Sequence, residues 1–359
     1  MELSEKANKK YKKNIKKFFC LNNYFLYKII LFVLLAINFL IFLDSNKPNK
    51  NDSNKLIEFY IKAQKDFCTN KTKYFNQKYE NEIILYDVKF NELNYQIYIY
   101  KSGNFLLWAL QAFKAFEIPI SVNMINALQF YKSKNNIVNN KDILILDVGG
   151  NVGWYPSLLG RYGYTILSFE AFEKNNYVAM KNYCYLNKNS NVILITKGLG
   201  EKDKICTYYV HKDNAGNGMT CCKRKFPIRA VGSTFVKESE VEITTLNSFM
   251  PYLLDKNIAL MKLDVEGHEL QVLKGGKELI TKYHVPFIVL EFTPKFLKRV
   301  GSDPKELPQF LVDNGYKISI EGFLSKNYIS VEQLLLKFSY QITCYFIHNT
   351  ISRRIEEIS

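Results

Sequence analysis

The chain's rhythm of apolar and polar positions changes several times. Ile29 to Leu43 is an apolar run in which Asn38 is the only clearly polar residue. With Tyr24 to Tyr27 it reaches the ~20 residues that a membrane span needs, and Lys28 can extend its ammonium towards the headgroups. Asp44 to about Glu82 is polar, rich in lysine and asparagine and weakly periodic, which predicts a tether. Ile83 to Tyr100 alternates apolar and polar residues twice around Asn91-Glu-Leu-Asn94, the pattern of a hairpin. Phe105–Phe116 and Val122–Tyr131 carry helical apolar stripes.

From Ile143 onward short apolar runs alternate with helical patterns, as a doubly wound α/β sheet requires. Strands are predicted at Ile143–Asp147, Ile166–Glu170, Val192–Thr196, Ile258–Asp264 and Phe287–Glu291. Helices are predicted after the first two strands, near Leu246–Leu254, at Glu269–Tyr283 and at Pro304–Asn314. Tyr316–Ile320 and Gln341–Ile347 read as a late antiparallel pair. Between them Cys206 to Val236 breaks the alternation with glycines, and a loop of that length in a compact domain is usually functional or disordered. It is expected to bind the acceptor.

The first of these strands ends in Asp147 and runs into Val-Gly-Gly-Asn-Val-Gly153 before a helix. Such a loop lets the backbone approach a ligand, and the following helix opens with unpaired N–H groups. A dinucleotide fold wants Gly-x-Gly-x-x-Gly, but the glycines here are Gly149, Gly150 and Gly153, with Val148 where the first should stand. The nicotinamide reading is therefore weak. Instead an acidic residue closes the first strand, and a second, Glu170, closes the next. In open parallel sheets ligands sit beyond the carboxyl ends of the strands, where Glu170 could bind vicinal ribose hydroxyls. This arrangement resembles the class I S-adenosylmethionine-dependent methyltransferases.

A second stretch, Lys262-Leu-Asp-Val-Glu-Gly-His-Glu-Leu-Gln-Val-Leu-Lys-Gly-Gly276, is similar to the signature of the FkbM-type methyltransferases. With the glycine loop and Phe169-Glu170 the resemblance spans Ile143 to Asn349. It implies a Rossmann-like class I methyltransferase sheet with a late antiparallel hairpin, here preceded by a single N-terminal transmembrane helix. It implies S-adenosyl-L-methionine as cofactor, held by Asp147, Gly149, Gly150, Asn151, Gly153 and Glu170. It also implies O-methylation, and a lumenal setting with a tether and no nucleic-acid motif favours a hydroxyl on a glycan or another secreted metabolite as the acceptor. Asp264, Glu266 and His268 stand where the central strand meets its helix, and any of them could be the base. Asp264 could hold the acceptor or the methionine amino group, and Glu269 is expected to cap its own helix. The chain departs from the family pattern at Ala171-Phe172, where a proline is common, and at Asn247, where an aspartate is usual.

Charge orients the chain. Met1 to Lys28 holds eight lysines against two glutamates, more than flanks the apolar run on its other side. The positive-inside rule then places the N-terminus in the cytosol and the domain in the lumen of the Golgi or endoplasmic reticulum, a type II single-pass protein. No small-x-small cleavage triplet follows Leu43, which favours an uncleaved anchor. Asn51-Asp-Ser53 and Asn70-Lys-Thr72 are glycosylation triplets, and the six cysteines after Cys20 are even in number, as an oxidising compartment permits. Adjacent Cys221 and Cys222 would pair elsewhere or stay reduced. The expected division is a basic tail (1–23), anchor (24–43), stem (44–82), covering hairpin and helices (83–140) and methyltransferase domain (141–350).

The formal charge of +15 falls to +9 once the +6 of the first 28 residues is set aside. The remaining lysines are scattered and no nucleic-acid motif accompanies them, so nucleic acid is not an expected partner; an acidic glycan or membrane surface suits that charge better. No Cys-x-x-Cys or His-x-x-x-His spacing points to metal. Two rival readings are a lumenal glycosyltransferase, disfavoured because the chain has no Asp-x-Asp triplet, and a non-catalytic relative that keeps the fold as an interaction module.

Overall fold

Ile83–Phe90 (β1) and Leu93–Tyr100 (β2) form the expected hairpin, paired from Ile83 opposite Tyr100 to Phe90 opposite Leu93. The turn is tighter than the sequence suggests: Asn91 and Glu92 alone make it, with Asn91 at a φ of 49°. Asparagine tolerates that left-handed conformation better than other side chains. In the computed structural model, residues 50–69, 79–102, 105–184, 191–211, 214–222 and 235–357 are described. Ser53–Ser359 form one compact unit. The predicted anchor at 24–43 lies outside the described residues, and among the described residues no single helix is long and apolar enough to cross a membrane.

The main sheet has seven strands. Ile143–Val148 (β3), Thr165–Phe169 (β4) and Asn191–Ile195 (β5) are its first parallel strands. A separate sheet takes Gly198–Leu199 (β6), Lys204–His211 (β7), Asn214–Cys221 (β8) and Phe235–Thr244 (β9), in the order β6-β9-β7-β8. The chain then returns to the main sheet through Asn257–Leu263 (β10), Phe287–Phe292 (β11), Tyr316–Ser319 (β12) and Ile342–His348 (β13). The order is β12-β13-β11-β10-β3-β4-β5, with β13 antiparallel to both neighbours. All five predicted parallel strands and the late antiparallel pair are present, and the topology is that of the α/β methyltransferase-like fold.

All six residues of β3 are buried, because helices cover both faces of the sheet. Leu144, Leu146 and Val148 pack on one face with Phe249 and Leu270, while Ile143 and Ile145 pack on the other with Leu128 and Leu158. The helix predicted over Glu269–Tyr283 is broken: it runs from Glu269 to Gly275, and Leu279–Tyr283 is a separate π-helical turn. The glycine pair Gly275-Gly276 accounts for the break. A side chain at Gly275 would place its Cβ 1.9 Å from the carbonyl oxygen of Gly200, so the residues that admit this close packing also interrupt the helix.

Two expectations are corrected. The 44–82 segment is not a free-standing tether throughout, since Lys50–Thr69 forms a helix (α1) that buries Ile57 and Tyr60 in the main core. Gln64 of α1 caps the open edge of the sheet: its Nε2 donates to Val192 O at 2.9 Å and its Oε1 accepts from Leu194 N at 3.2 Å. One amide thus satisfies two groups on an edge that would otherwise stay unpaired. A disulfide from Cys68 to Cys184 ties α1 to the helix Glu173–Cys184.

The second correction concerns Cys206–Val236. Instead of a long loop, most of this stretch is sheet, with β7 pairing antiparallel to both β8 and β9. Cys206 and Cys222 bridge β7 to the end of β8, while Cys221 and Cys344 are buried outside the two bridges. The pattern was hard to read because Asn-Ala-Gly-Asn-Gly in β8 lacks the branched apolar residues of a strand.

Candidate functional site

The glycine loop sits where β3, β4 and β10 end. Gly149 has a φ of 82°, and a Cβ there would lie 1.9 Å from the carbonyl oxygen of Asp264, so only glycine lets the loop pass the end of β10. At Gly150 a Cβ would lie 2.3 Å from Ser168 Oγ. The amides of Gly149 and Gly150 both donate to Phe169 O at 2.9 Å, which ties the loop to the end of β4. These two N–H groups are therefore spent within the protein.

Glu170 follows directly. Its Oε2 accepts from Asn151 N at 2.8 Å and its Oε1 from Phe172 N at 2.7 Å, so its carboxylate braces the loop it was expected to sit beside. Burial pushes its carboxyl up, opposed by those two amides. Asn175 bonds the same carboxylate, which leaves part of its acceptor capacity for a ligand. Glu170 lines a cavity of about 80 Å³ together with Gly149, Glu266 and His268. Asp147 lies beneath, 1 % exposed, where Ser168 Oγ donates to its Oδ2 at 2.8 Å. Asp147, Gly150, Asn151, Gly153 and Asp264 do not line the cavity.

The signature stretch supplies the opposite wall. Glu269 braces the turn before its helix, its Oε1 accepting from Val265 N and Gly267 N at 3.1 Å each, so it does not take the expected role of capping the helix, whose N-terminus has no side-chain cap. Burial pushes its carboxyl up to about 7. Glu266 sits in the left-handed region at a φ of 56°, and burial, with Asp264 and Glu269 nearby, pushes its carboxyl up to about 8. Arg299 donates through Nη2 to the Glu266 carbonyl at 3.0 Å.

His268, a candidate base, lies 2.9 Å through Nε2 from the carbonyl oxygen of Thr220 on β8. A carbonyl can only accept, so Nε2 carries the hydrogen, and a neutral ring could act as base only through Nδ1. In this arrangement His268 fastens the β7–β8 hairpin over the cavity. Gly218, Met219 and Thr220 of the hairpin line it from above, and Tyr208 of β7 stacks on Phe172 with ring centroids 4.3 Å apart.

Three side chains that the sequence reading did not single out are brought together on the far side of Asp264. Lys262, 8 % exposed, reaches Gly149 O at 2.9 Å, Asp264 Oδ2 at 3.3 Å and Asp147 Oδ1 at 4.0 Å. Glu117 accepts a short hydrogen bond from the Tyr155 hydroxyl. Glu291, at the end of β11, accepts from Gln341. The signal for Lys262 was its position as the one charge within an apolar strand. Nothing in the local pattern marked the other two. Among the described residues no group of three or more His, Cys, Asp or Glu side chains is arranged to hold a metal ion.

Residues 147–318 match the family model of the methyltransferase FkbM domain. The chain carries an FkbM methyltransferase domain. No curated protein matches the sequence. Among solved structures, the chain is similar to the bifunctional kinase-methyltransferase WbdD, with 12% identity, 64% of this chain covered and a TM-score of 0.34. The match spans only 39% of the WbdD chain. It is also similar to magnesium protoporphyrin IX methyltransferase from Synechocystis PCC 6803 with bound SAM, at 13% identity, 68% and 85% coverage of the two chains and a TM-score of 0.34. A protein of the NADB-Rossmann superfamily from Streptococcus agalactiae aligns at 15% identity over 62% of this chain and 67% of its own, with a TM-score of 0.30.

Proposed function

We propose that the FkbM domain transfers a methyl group from S-adenosylmethionine to a hydroxyl of a small-molecule or glycan acceptor. The observation that carries this reading is Glu170, held at the end of β4 by two backbone amides and facing a cavity beside the glycine loop. Its remaining acceptor capacity suits a ribose hydroxyl, and Gly149 brings the loop backbone to the cavity wall beside it. The donor set fits. The space does not yet: about 80 Å³ is well short of the roughly 300 Å³ or more of a pocket for a ligand of this size. The β7–β8 hairpin has to shift from its bond with His268 to admit the cofactor.

Bound there, S-adenosylmethionine supplies a sulfonium-activated methyl group. The protein's part is then to align an acceptor hydroxyl and take up its proton. Asp264 and Glu266 are suited to the acceptor side; Glu266, with a carboxyl near 8, is poised around neutral pH. Calorimetry of the full chain with S-adenosylhomocysteine tests the reading. Binding that is lost in Glu170→Ala supports it, whereas a chain that binds neither S-adenosylmethionine nor S-adenosylhomocysteine is a non-catalytic module.

The same proposal extends to the setting. The basic and then apolar N-terminus supports a type II anchor with the domain in the lumen, and two disulfides suit an oxidising compartment. Expression in a eukaryotic secretory system should give a glycosidase-sensitive chain, modified at Asn51 or Asn70. Digestion of the domain by protease added to intact microsomes would reverse this orientation.

A further inference from the structure

From Lys101 to Phe116 the chain has no acidic residue, and the helix Phe105–Phe113 (α2), Phe-Leu-Leu-Trp-Ala-Leu-Gln-Ala-Phe, has Gln111 as its one polar position. A helix apolar on every side is normally covered on every side. Here only Ala109 and Leu110 are buried, whereas Phe105, Trp108 and Phe113 are 61 %, 53 % and 59 % exposed. Their rings form one surface: Phe105 stacks on Trp108 with centroids 5.1 Å apart, and Phe113 meets Trp108 edge-on at 5.8 Å. A contiguous exposed apolar surface of this kind marks contact with a protein or a membrane.

Local geometry fixes where that surface stands. Lys114 and Glu117 both take the left-handed conformation, at φ of 58° and 43°, and α2 meets the helix Ile118–Lys134 at 83°. Phe116, between the two turns, packs edge-on against Trp154 at 5.9 Å, and Glu117 accepts from the hydroxyl of Tyr155. Trp154 and Tyr155 open the helix that follows the glycine loop, so α2 stands beside the end of the sheet that carries the candidate site. The two helices joined at this bend are together apolar enough for a membrane span. The bend itself, and the burial of Met124 and Leu128 in the core, prevent one. What remains is a helix able to lie on a membrane surface without crossing it.

Charge and ring chemistry select that partner. Lys101 and Lys114 flank the aromatic surface, with Lys114 donating to the Tyr86 hydroxyl at 3.3 Å on the adjoining hairpin. The first acidic residue beyond it, Glu117, is turned inwards onto Tyr155. Aromatic rings edged by lysines suit a lipid headgroup layer, with the rings at the acyl boundary and the ammonium groups among the phosphates. We propose that α2 is a membrane-docking surface that seats Phe105, Trp108 and Phe113 in the headgroup region of a phospholipid bilayer. Such docking depends neither on the N-terminal anchor nor on the methyltransferase reading, and it holds the glycine-loop end of the sheet towards the membrane.

The chain has two tryptophans, Trp108 and the buried Trp154, 4 % exposed, so indole fluorescence reports on this surface. The full chain is reconstituted in vesicles of phosphatidylcholine and phosphatidylserine, with the phosphatidylcholine either brominated near the headgroup end of its acyl chains or unbrominated. Bromine quenches an indole only at contact. Emission is expected to fall by about a third or more in the brominated vesicles, because an interfacial helix seats its rings roughly 5–10 Å deep. In Trp108→Phe the remaining emission, from Trp154, should not respond to bromine. In the double variant Phe105→Ser, Phe113→Ser the quenching of Trp108 should fall several-fold, with the circular dichroism of the unaltered chain retained. Emission indifferent to bromine, as from a domain tethered by its N-terminus alone, overturns the proposal. Quenching that persists in Trp108→Phe, or that is unchanged in the double variant, overturns it equally. A bromine-insensitive emission that moves to the blue as protein density in the vesicles rises would assign α2 to a second copy of the chain instead.

Discussion

The ammonium of Lys262 donates to the carbonyl of Gly149 at 2.9 Å, joining the end of the signature strand to the start of the glycine loop. Burial alone would push this ammonium down, but Asp264, Asp147 and Glu117 more than offset it and Lys262 stays charged. The two stretches that carry the family resemblance are therefore locked together by one charge. Replacing Lys262 with Met keeps most of the volume and removes that charge, leaving the buried Asp147 with the Ser168 hydroxyl but no cation. Breaking a buried pair in this way costs about 3 kcal/mol or more. Denaturant unfolding should show such a loss in Lys262→Met, partly restored when Asp147→Asn is added. A single substitution as stable as the unaltered chain would mean that Lys262 does not hold the site.

Glu170 has two duties, and its substitution should reveal both. Removing the carboxylate in Glu170→Ala leaves the amides of Asn151 and Phe172 without their partner. A cost of about 2–4 kcal/mol is expected from two such groups, less in Glu170→Gln, which keeps one acceptor. S-adenosylhomocysteine affinity should fall in both. Thermal melts beside calorimetry separate the two effects, and an unchanged affinity in folded Glu170→Ala would leave Glu170 with the bracing role alone.

The parallel strands were legible because burial on both faces leaves continuous apolar runs. Whatever depends on distant segments meeting was not. Lys262 interrupts an apolar strand, and only the positions of Asp147 and Gly149 explain why the interruption is tolerated. Glu117 comes from a turn upstream of the domain and Glu291 from a neighbouring strand, so no spacing in the sequence links them to Asp264. Strand β8 reads as loop because pairing with β7 and the Cys206–Cys222 bridge hold it, in place of its own propensity. His268 was legible as a member of the site, but its bond to Thr220 required the fold of that hairpin.

The buried carboxyls predict a pH dependence of stability. Burial, the largest cause in each, raises Glu266 and Glu291 to about 8 and Glu269 to about 7. Since a free glutamate titrates near 4.3, the folded chain binds more protons than the unfolded one between about pH 4.5 and 8. The stability these groups contribute is complete below about pH 4.5 and is lost as the pH rises through about 7–8. The groups facing them, Asp264, Glu117, Lys262 and Arg299, set the size of the effect but not its sign. Melting temperatures of Glu266→Gln and Glu291→Gln, relative to the unaltered chain, should therefore improve as the pH is raised from about 5 to about 9. Parallel pH curves for all three proteins would show that these carboxyls are not held protonated by the fold.

The Cys68–Cys184 bridge closes a loop between residues 116 apart, and it fastens the helix that covers the edge of the sheet. Constraint of the unfolded chain over such a length is worth about 5 kcal/mol, and the shorter Cys206–Cys222 loop, with a separation of 16, about 3 kcal/mol. The longer bridge also matters locally. Without it α1 is held to β5 chiefly by Ile57, Tyr60 and the two hydrogen bonds of Gln64, and its departure would bare an edge strand. The double variant Cys68→Ser, Cys184→Ser should unfold at lower denaturant concentration by the equivalent of about 5 kcal/mol and aggregate more readily on warming. Adding reductant should destabilise the unaltered chain by more than it destabilises this variant, because the variant retains only the second bridge. Equal responses to reductant would mean that the long bridge contributes nothing, and the disulfide argument for an oxidising compartment would then rest on Cys206–Cys222 alone.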